Sequence, residues 1–512
     1  MRLKNVLLSS ISGILCNIVT LFLNFILRKI FLDTLGVELL GYDSLFIDLM
    51  GILNVIELGM GTALSINLYK PLAENDEDRI IIIFRLLKKV YYFISLAVLV
   101  LGLFMLFNLQ YFVNKPISNV GYIRTIFSLY LGNTIINYLF SAQQTYLGAK
   151  QKLYILSLTT MTTNIISSII RIFILIYTKD FILFLLVKFG FLLIGNMYVY
   201  LYLRKNDKFI FNKPRSTHVE DLSSLKKSTS TLVFQRLSTT VLLYTDSLII
   251  SKFLGLTVIG LFSNYKLIIA SVNSLISQLL SSISVSFASF IAEKKEQDAY
   301  NMLNNLTFFC FVVANVSFIS LAILLNPFIV LWLGDEFLFN SIPVYVSLVN
   351  FYILICITPL YDAYTYSHSF KGDFLTPILE ILINVSVSLL LVKYLGITGV
   401  FVGTLACYIV GFTRRMCMTF KKYFLVSYLE YLKKQLIYIC FTVMSCFIVA
   451  LAVHLISINN IYIDFVIKAS VSIAMPCVLV YIFFHKKAEF IYFRGIIISL
   501  IGKLVKRKQV SN

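Results

Sequence analysis

Charged side chains interrupt stretches of this sequence that are otherwise almost entirely apolar. The cations of greatest chemical interest in these stretches are Arg28, Arg171, Lys188 and Arg236. A charge inside a membrane span costs at least about 2.5 to 3.5 kcal/mol on insertion scales, so we expect these side chains to face a water-filled cleft or a partner. Arginine suits a phosphate group because its planar fork donates two hydrogen bonds to phosphate oxygens. The chemistry that this set favours is the binding of an anion.

Amide side chains accompany these cations at helical spacing. Asn17 and Asn24 fall on one stripe with Arg28, and Gln235 precedes Arg236 on a second, while Gln278 belongs to a third stripe further along. Polar stripes of this kind are typical either of contacts between membrane helices or of the lining of a polar cleft. We predict that the four amides line a cleft, whereas the hydroxyls of the same stripes fit both roles equally well.

The apolar stretches that carry these residues are too abundant for a soluble protein. Of the 512 residues, 59% are hydrophobic and 13% are charged, against roughly 25% charged in a soluble domain. A helix needs about 20 apolar residues to cross the hydrocarbon layer, and this measure predicts about 14 transmembrane helices. The predicted fold class is therefore an all-α integral membrane protein.

The basic residues predict how the chain is oriented. With the N-terminus placed in the cytoplasm, the inner segments carry 32 Lys and Arg and the outer segments carry 7. This asymmetry predicts a multi-pass protein with both termini in the cytoplasm. The net charge of +19 is then explained by attraction to anionic membrane lipids, and nucleic acid is not expected as a partner.

A repeated motif predicts two similar halves. Leu-Gly-Val-Glu-Leu-Leu-Gly at residues 35–41 is followed 219 residues later by Leu-Gly-Leu-Thr-Val-Ile-Gly at residues 254–260. An even number of crossings separates the copies, so we expect two parallel lobes of six helices that form a cleft. The predicted domains are an N-lobe at 1–205, a cytoplasmic linker at 206–228, a C-lobe at 229–422, two further helices at 423–485 and a basic cytoplasmic tail at 486–512.

The repeat also aligns four charges with reversed sign. At an offset of 218 residues, Arg28 falls on Asp246 and Asp48 falls on Lys266. Two ion pairs are predicted from this arrangement, Arg28 with Asp48 and Asp246 with Lys266. They either staple their own hairpins or exchange partners across the lobes, and in the second case they form an outer gate.

Several segments carry a resemblance to a known family. They are IELGMGTAL at 56–64, LYKPLAE at 68–74, and TDSLIIS at 245–251 followed by LG at 254–255 and IGLF at 259–262. These segments resemble bacterial polysaccharide flippases, the oligosaccharidyl-lipid branch of the multidrug, oligosaccharidyl-lipid and polysaccharide exporter superfamily. The resemblance implies transfer of undecaprenyl-diphosphate-linked oligosaccharide repeat units to the outer leaflet of the bacterial cytoplasmic membrane by alternating access. The pathway would be capsule, exopolysaccharide or cell-wall polysaccharide synthesis. The four cations Arg28, Arg171, Lys188 and Arg236 would then hold the diphosphate, and a polysaccharide polymerase and glycosyltransferases would be partners.

The energy source and the rival functions stay open at this point. Glu57 lies near the middle of the second predicted span, where it would bind a proton or Na+ or pair with an arginine. No catalytic or metal-binding motif is found, and no cofactor is expected beyond such a coupling ion. The rivals are a lipid II flippase, a drug or cation antiporter of the same superfamily and, with less support, a membrane polysaccharide polymerase.

Overall fold

The computed structural model describes residues 2–57, 60–117, 119–213, 226–293 and 296–495. All regular structure in these ranges is helical, which confirms the predicted fold class. The α-helices are α1 (Arg2–Leu53), α2 (Met60–Glu74), α3 (Glu77–Phe107), α4 (Val120–Ala149), α5 (Leu153–Tyr177), α6 (Phe181–Asn206), α7 (Lys226–Phe253), α8 (Leu256–Ala292), α9 (Glu296–Trp332), α10 (Ser341–Tyr366), α11 (Leu375–Leu395), α12 (Ile397–Thr419), α13 (Leu429–His454) and α14 (Ile461–Phe484).

The first α-helix consists of two arms that meet at Gly36. This glycine has φ 80° and ψ 176°, so the helix is interrupted there. Twelve helices in the described part of the chain are long and apolar enough to cross a membrane, and α1 counts as one of them. Counting both arms of α1 and adding α4 brings the total to about 14, as the sequence predicts. The protein is a multi-pass membrane protein.

The second predicted span is not the single helix that its apolar pattern indicates. The second arm of α1 ends at Leu53, a turn of 3-10 helix occupies Asn54–Glu57, and α2 begins at Met60. Glycines at positions 59 and 61 are poor helix formers, and an asparagine side chain competes with the backbone for hydrogen bonds. Glu57 therefore lies at a helix break and not inside a continuous span.

The chain divides into two compact units, and the division falls within α8. Unit 1 comprises Met1–Ser263 with Val392–Gly396, and unit 2 comprises Asn264–Leu391 with Ile397–Asn512. The predicted lobe boundary in the linker at 206–228 stays a prediction, and residues 214–225 of that linker lie outside the described ranges.

The two repeat motifs contact each other reciprocally in unit 1. The first glycines of the motifs, Gly36 and Gly255, have φ of +80° and +96°, a backbone conformation that strongly favours glycine. A Cβ at Gly41 would overlap the carbonyl oxygen of Leu256, and a Cβ at Gly260 would overlap that of Val37. Because the contact is made through backbone atoms, glycine is the residue that fits without overlap as the second glycine of each motif, Gly41 and Gly260.

We predict that Gly260→Ala destabilises the protein. Its Cβ would lie 2.8 Å from the Val37 Cγ1 and 3.2 Å from the Gly41 nitrogen, and overpacking of this kind costs about 1 to 3 kcal/mol. The measurement is the thermal unfolding midpoint in detergent. Gly190→Ala is the matched control, because a Cβ there meets nothing within 4 Å. Equal midpoints for the two variants would contradict the prediction.

A buried ion pair joins two helices of unit 2. Arg415 on α12 donates two hydrogen bonds to the carboxylate of Glu380 on α11, one of them from Nη2 to Oε2 at 3.0 Å. The Arg415 side chain is 7% exposed and that of Glu380 is 4% exposed. The guanidinium also lies 4.2 Å from the ring centroid of Tyr361, whose hydroxyl accepts a further hydrogen bond at 3.0 Å. This pair holds α10, α11 and α12 together.

The connection between α10 and α11 is held by a second buried carboxylate, that of Asp373. Burial raises the pKa of this carboxyl, but hydrogen bonds from Thr376 and Tyr364 and the charge of Arg414 outweigh it, so the pKa lies below its usual value. The Tyr364 hydroxyl donates at 2.6 Å and the Thr376 hydroxyl at 2.6 Å. Asp373 therefore caps the start of α11 in its charged form.

Candidate functional site

A cavity of about 960 Å³ lies within unit 1. Residues of α1, α3, α4, α5, α6 and α7 and of the 3-10 turn at Asn54–Glu57 line it. The volume falls at the upper end of the range for small-molecule sites, roughly 300 to 1,000 Å³. Such sites are mostly apolar, whereas this lining is dominated by amides, hydroxyls, tyrosines and three charged groups.

Two cations, Arg171 and Lys188, form one end of the cavity. They lie near the ends of α5 and α6 that adjoin each other in the chain. The Arg171 Nη2 donates to the Ser168 Oγ at 3.0 Å, and its guanidinium carbon lies 5.0 Å from the ring centroid of Phe184. The Lys188 Nζ lies 5.4 Å from the ring centroid of Tyr130. Arg171 thus contacts an aromatic ring and a hydroxyl, and Lys188 contacts an aromatic ring.

One carboxylate, that of Asp43, acts on three cations at this end. Its negative charge interacts electrostatically with Arg28, Arg171 and Lys188. One of its oxygens accepts a hydrogen bond from the Tyr130 hydroxyl. Among the described residues these four charged groups form one cluster with three positive charges and one negative charge. Buried charges are normally matched by partners. The excess of positive charge at the cavity wall makes this end suited to an anion.

The structure brings together only some of the predicted site residues. Arg171, Lys188 and Asn24 line the cavity, as does Glu57, whereas Arg28, Asn17 and Gln235 are not among the described lining residues. Gln278 belongs to unit 2. The side chain of Arg236 lies outside the described ones.

Arg28 and Asp48 have other partners than the predicted ones. The Arg28 Nη1 donates to the Ser263 Oγ at 2.9 Å, and the Asp48 carboxylate accepts from the Ser247 hydroxyl. The reason is the turn at Gly36. Asp43 follows this turn by about as many residues as Arg28 precedes it, so Asp43, and not Asp48, lies at the depth of Arg28. Asp48 lies five residues further along the helix, roughly 7.5 Å at 1.5 Å per residue. Asp246 and Lys266 fall in different units, and their pairing and the gate stay predictions.

Glu57 lies at the other end of the cavity from the two cations. The Tyr91 hydroxyl lies 3.2 Å from its Oε1, to which it donates, and 3.1 Å from the Thr145 Oγ1. Thr145 and Tyr130 are 15 residues apart on α4, a separation of roughly 22 Å along a helix. The cavity is thus acidic at one end and cationic at the other.

Sequence reasoning missed Asp43 and the tyrosines of the cavity. Tyr130 and Tyr91 hydrogen-bond the two carboxylates, and Tyr138 donates to the Asn54 Oδ1 at 2.8 Å. The chain has 31 tyrosines, so no spacing distinguished these three from tyrosines at the membrane interface. The one available signal was the position of Asp43, at the depth of Arg28 in the first hairpin.

Comparison with known proteins places the fold. No family model and no curated protein sequence matches the chain. Among solved structures, the lipid II flippase MurJ in an inward closed conformation is 17% identical, covers 94% of this chain and 99% of its own, and has a TM-score of 0.64. An inward-facing multidrug resistance MATE family transporter of the MOP superfamily is 16% identical, covers 80% and 98%, and has a TM-score of 0.59. A mutant of the Vibrio cholerae MATE transporter VcmN is 12% identical, covers 82% and 98%, and has a TM-score of 0.57. The chain has the fold of these transporters.

Proposed function

We propose that this protein is a flippase for lipid-linked oligosaccharide repeat units in the bacterial cytoplasmic membrane. The observation that carries the proposal is the cavity of unit 1, whose wall contains Arg171 and Lys188. Among the described residues, Asp43 is the carboxylate whose charge acts on these two cations and on Arg28. The fold of a lipid II flippase and of MATE transporters supports a transport function and gives no support to an enzyme. The substrate would be carried from the inner to the outer leaflet as part of polysaccharide synthesis.

Arg171 and Lys188 would bind the diphosphate of the lipid. Both are half-buried in the wall of the cavity, where an ionic hydrogen bond is stronger than in bulk water. Arg28 would set the charge balance through Asp43. Arg236, whose side chain lies outside the described ones, stays a predicted further ligand of the diphosphate. Anionic membrane lipids, a polysaccharide polymerase and glycosyltransferases are the proposed partners.

A drug or cation antiporter is the rival that the charges of the cavity disfavour. A cationic drug would meet Arg171 and Lys188 at one end and would find one carboxylate, Glu57, among the described lining residues at the other. A lipid II flippase would share the diphosphate and differ only in the sugar. The similarity to MurJ therefore fits that alternative as well as the proposed one.

Deletion of the gene tests the function in cells. Lipid-linked oligosaccharide should accumulate on the inner leaflet, and a plasmid with the wild-type gene should restore export. If the deletion strain exports polysaccharide normally and its inner-leaflet pool is unchanged, the proposal is wrong. Accumulation of lipid II alone would favour the rival flippase.

Glu57 is the proposed site of a coupling ion, a proton or Na+. It lies at a helix break, lines the cavity and accepts a hydrogen bond from Tyr91, and an acid at membrane depth is by default a candidate functional residue. In proteoliposomes, we expect a pH or Na+ gradient to change the flipping rate of the wild type and to have no effect on Glu57→Gln. Glu38→Gln is the control, because Glu38 is an exposed acid of the same unit. A gradient response retained by Glu57→Gln would rule out this role.

A further inference from the structure

The cations occupy only one end of the cavity, and most of its lining is neutral and polar. Helices α4, α5 and α6 present a wall of amides and hydroxyls between the cationic end and Glu57. Six of these residues carry the argument, namely Asn137, Gln144, Thr160, Thr163, Asn164 and Asn196. A polyprenyl chain would gain nothing from this wall, because burying unmatched polar groups against hydrocarbon is costly.

The hydrogen bonds of this wall leave both donors and acceptors available. The Gln144 Nε2 donates to the Oδ1 atoms of Asn137 at 3.3 Å and Asn196 at 3.1 Å. That arrangement leaves the amide N–H groups of both asparagines without a partner among the described residues, and likewise the carbonyl oxygen of Gln144. The Thr163 hydroxyl donates to the Thr159 carbonyl oxygen at 2.9 Å and so keeps its lone pairs for an outside donor.

Two further groups of the wall have no hydrogen-bond partner in the described part of the chain. They are the hydroxyl of Thr160 and the amide of Asn164, four residues apart on α5. Residues four apart share one face of a helix, so both groups point into the same part of the cavity. The aromatic rings of Tyr138 and Tyr244 also line the cavity.

We infer that this wall is the seat of the saccharide and that Thr160 and Asn164 contribute to its recognition. The inference rests on the proposed function, since it assumes a sugar linked to a lipid diphosphate. A sugar hydroxyl both donates and accepts, so it matches a surface where amide N–H groups alternate with carbonyl and hydroxyl oxygens. The cations at the end of the same cavity are then in reach of an anionic group on the same molecule.

The test compares two diphosphate diesters of equal charge that differ in the sugar. They are farnesyl diphosphate with a methyl ester on its terminal phosphate, called farnesyl diphosphate below, and farnesyl diphosphate carrying one N-acetylhexosamine. Kd for each is measured by titration calorimetry on the purified protein in detergent. The wild type should bind the sugar-bearing probe more tightly. In the double variant Thr160→Val and Asn164→Leu we expect about a tenfold loss of affinity for that probe, the equivalent of 1.4 kcal/mol, and no change for farnesyl diphosphate.

Thr162→Val is the matched control, because Thr162 is an exposed residue of the same helix and is not among the described lining residues. It should bind both probes as the wild type does. Unchanged farnesyl diphosphate binding also shows that the double variant is folded. If the wild type binds both probes equally, or the double variant loses both equally, the saccharide seat is wrong while the proposed function stands. If the wild type binds neither probe, the proposed function fails and the inference fails with it.

Discussion

The double variant Arg171→Ala and Lys188→Ala should bind farnesyl diphosphate at least about 100-fold more weakly than the wild type. Hydrogen bonds to charged groups contribute about 1.5 to 3 kcal/mol each, and two of them correspond to a hundredfold or more in Kd. The stability of the protein should hardly change, because the variant leaves the cluster with one positive charge, that of Arg28, and one negative charge, that of Asp43. The measurement is titration calorimetry in detergent, with thermal unfolding as the check on folding.

Arg124→Ala is the control for this experiment. Arg124 is an exposed cation of α4 whose guanidinium carbon lies 5.8 Å from the ring centroid of Phe107, and it is not among the described residues that line the cavity. Its removal should leave the Kd unchanged. Equal weakening by Arg124→Ala would mean that binding depends on overall charge and not on the cavity. Wild-type affinity in the double variant would show that Arg171 and Lys188 do not bind the diphosphate.

The largest effect on stability is expected at Glu380. Glu380→Leu should lower the free energy of unfolding by about 3 to 5 kcal/mol, because it leaves the charge of Arg415 buried without its partner. Adding Arg415→Met should recover much of this loss, since an apolar pair of similar volume is often as stable as a buried ion pair. Denaturation in detergent with guanidinium chloride measures both variants.

Glu430→Leu is the control, because Glu430 is an exposed acid in the first turn of α13. We expect it to change the free energy of unfolding by less than about 0.5 kcal/mol, as for most surface substitutions. A double variant no more stable than Glu380→Leu alone would contradict the account of the pair, since the loss would then come from Tyr361 packing or from the shape of the site.

The helices were predictable because each one is a local pattern. A run of about 20 apolar residues identifies a membrane helix without knowledge of its neighbours, and the glycines at 36 and 255 mark the turns of both hairpins. The break at Asn54–Glu57 was not predictable in this way, because hydropathy averaged over a span does not register three weak helix formers, an asparagine and two glycines, within it.

The partners of the charges depend on tertiary structure and were only partly predictable. Arg171 and Lys188 could be recognised as functional because a cation in a span needs an explanation. The pairing of Arg28 with Asp48 assumed that equal offsets in the two repeats mean equal depth. The residues that act together are instead set by the turn at Gly36 and by the packing of α4 and α5 against α1, which brings Tyr130 and Asp43 together.

The most direct test of the account is flipping by the purified protein in proteoliposomes. The substrate is a fluorescent polyprenyl-diphosphate-linked saccharide, and dithionite added outside bleaches only the molecules that reach the outer leaflet. We predict that wild-type vesicles lose the protected fluorescence, while vesicles with the Arg171→Ala and Lys188→Ala variant keep it as protein-free vesicles do. Protected fluorescence that persists with the wild type, or that is lost equally fast with the variant, would contradict the claim that this cationic cavity carries a lipid-linked saccharide across the membrane.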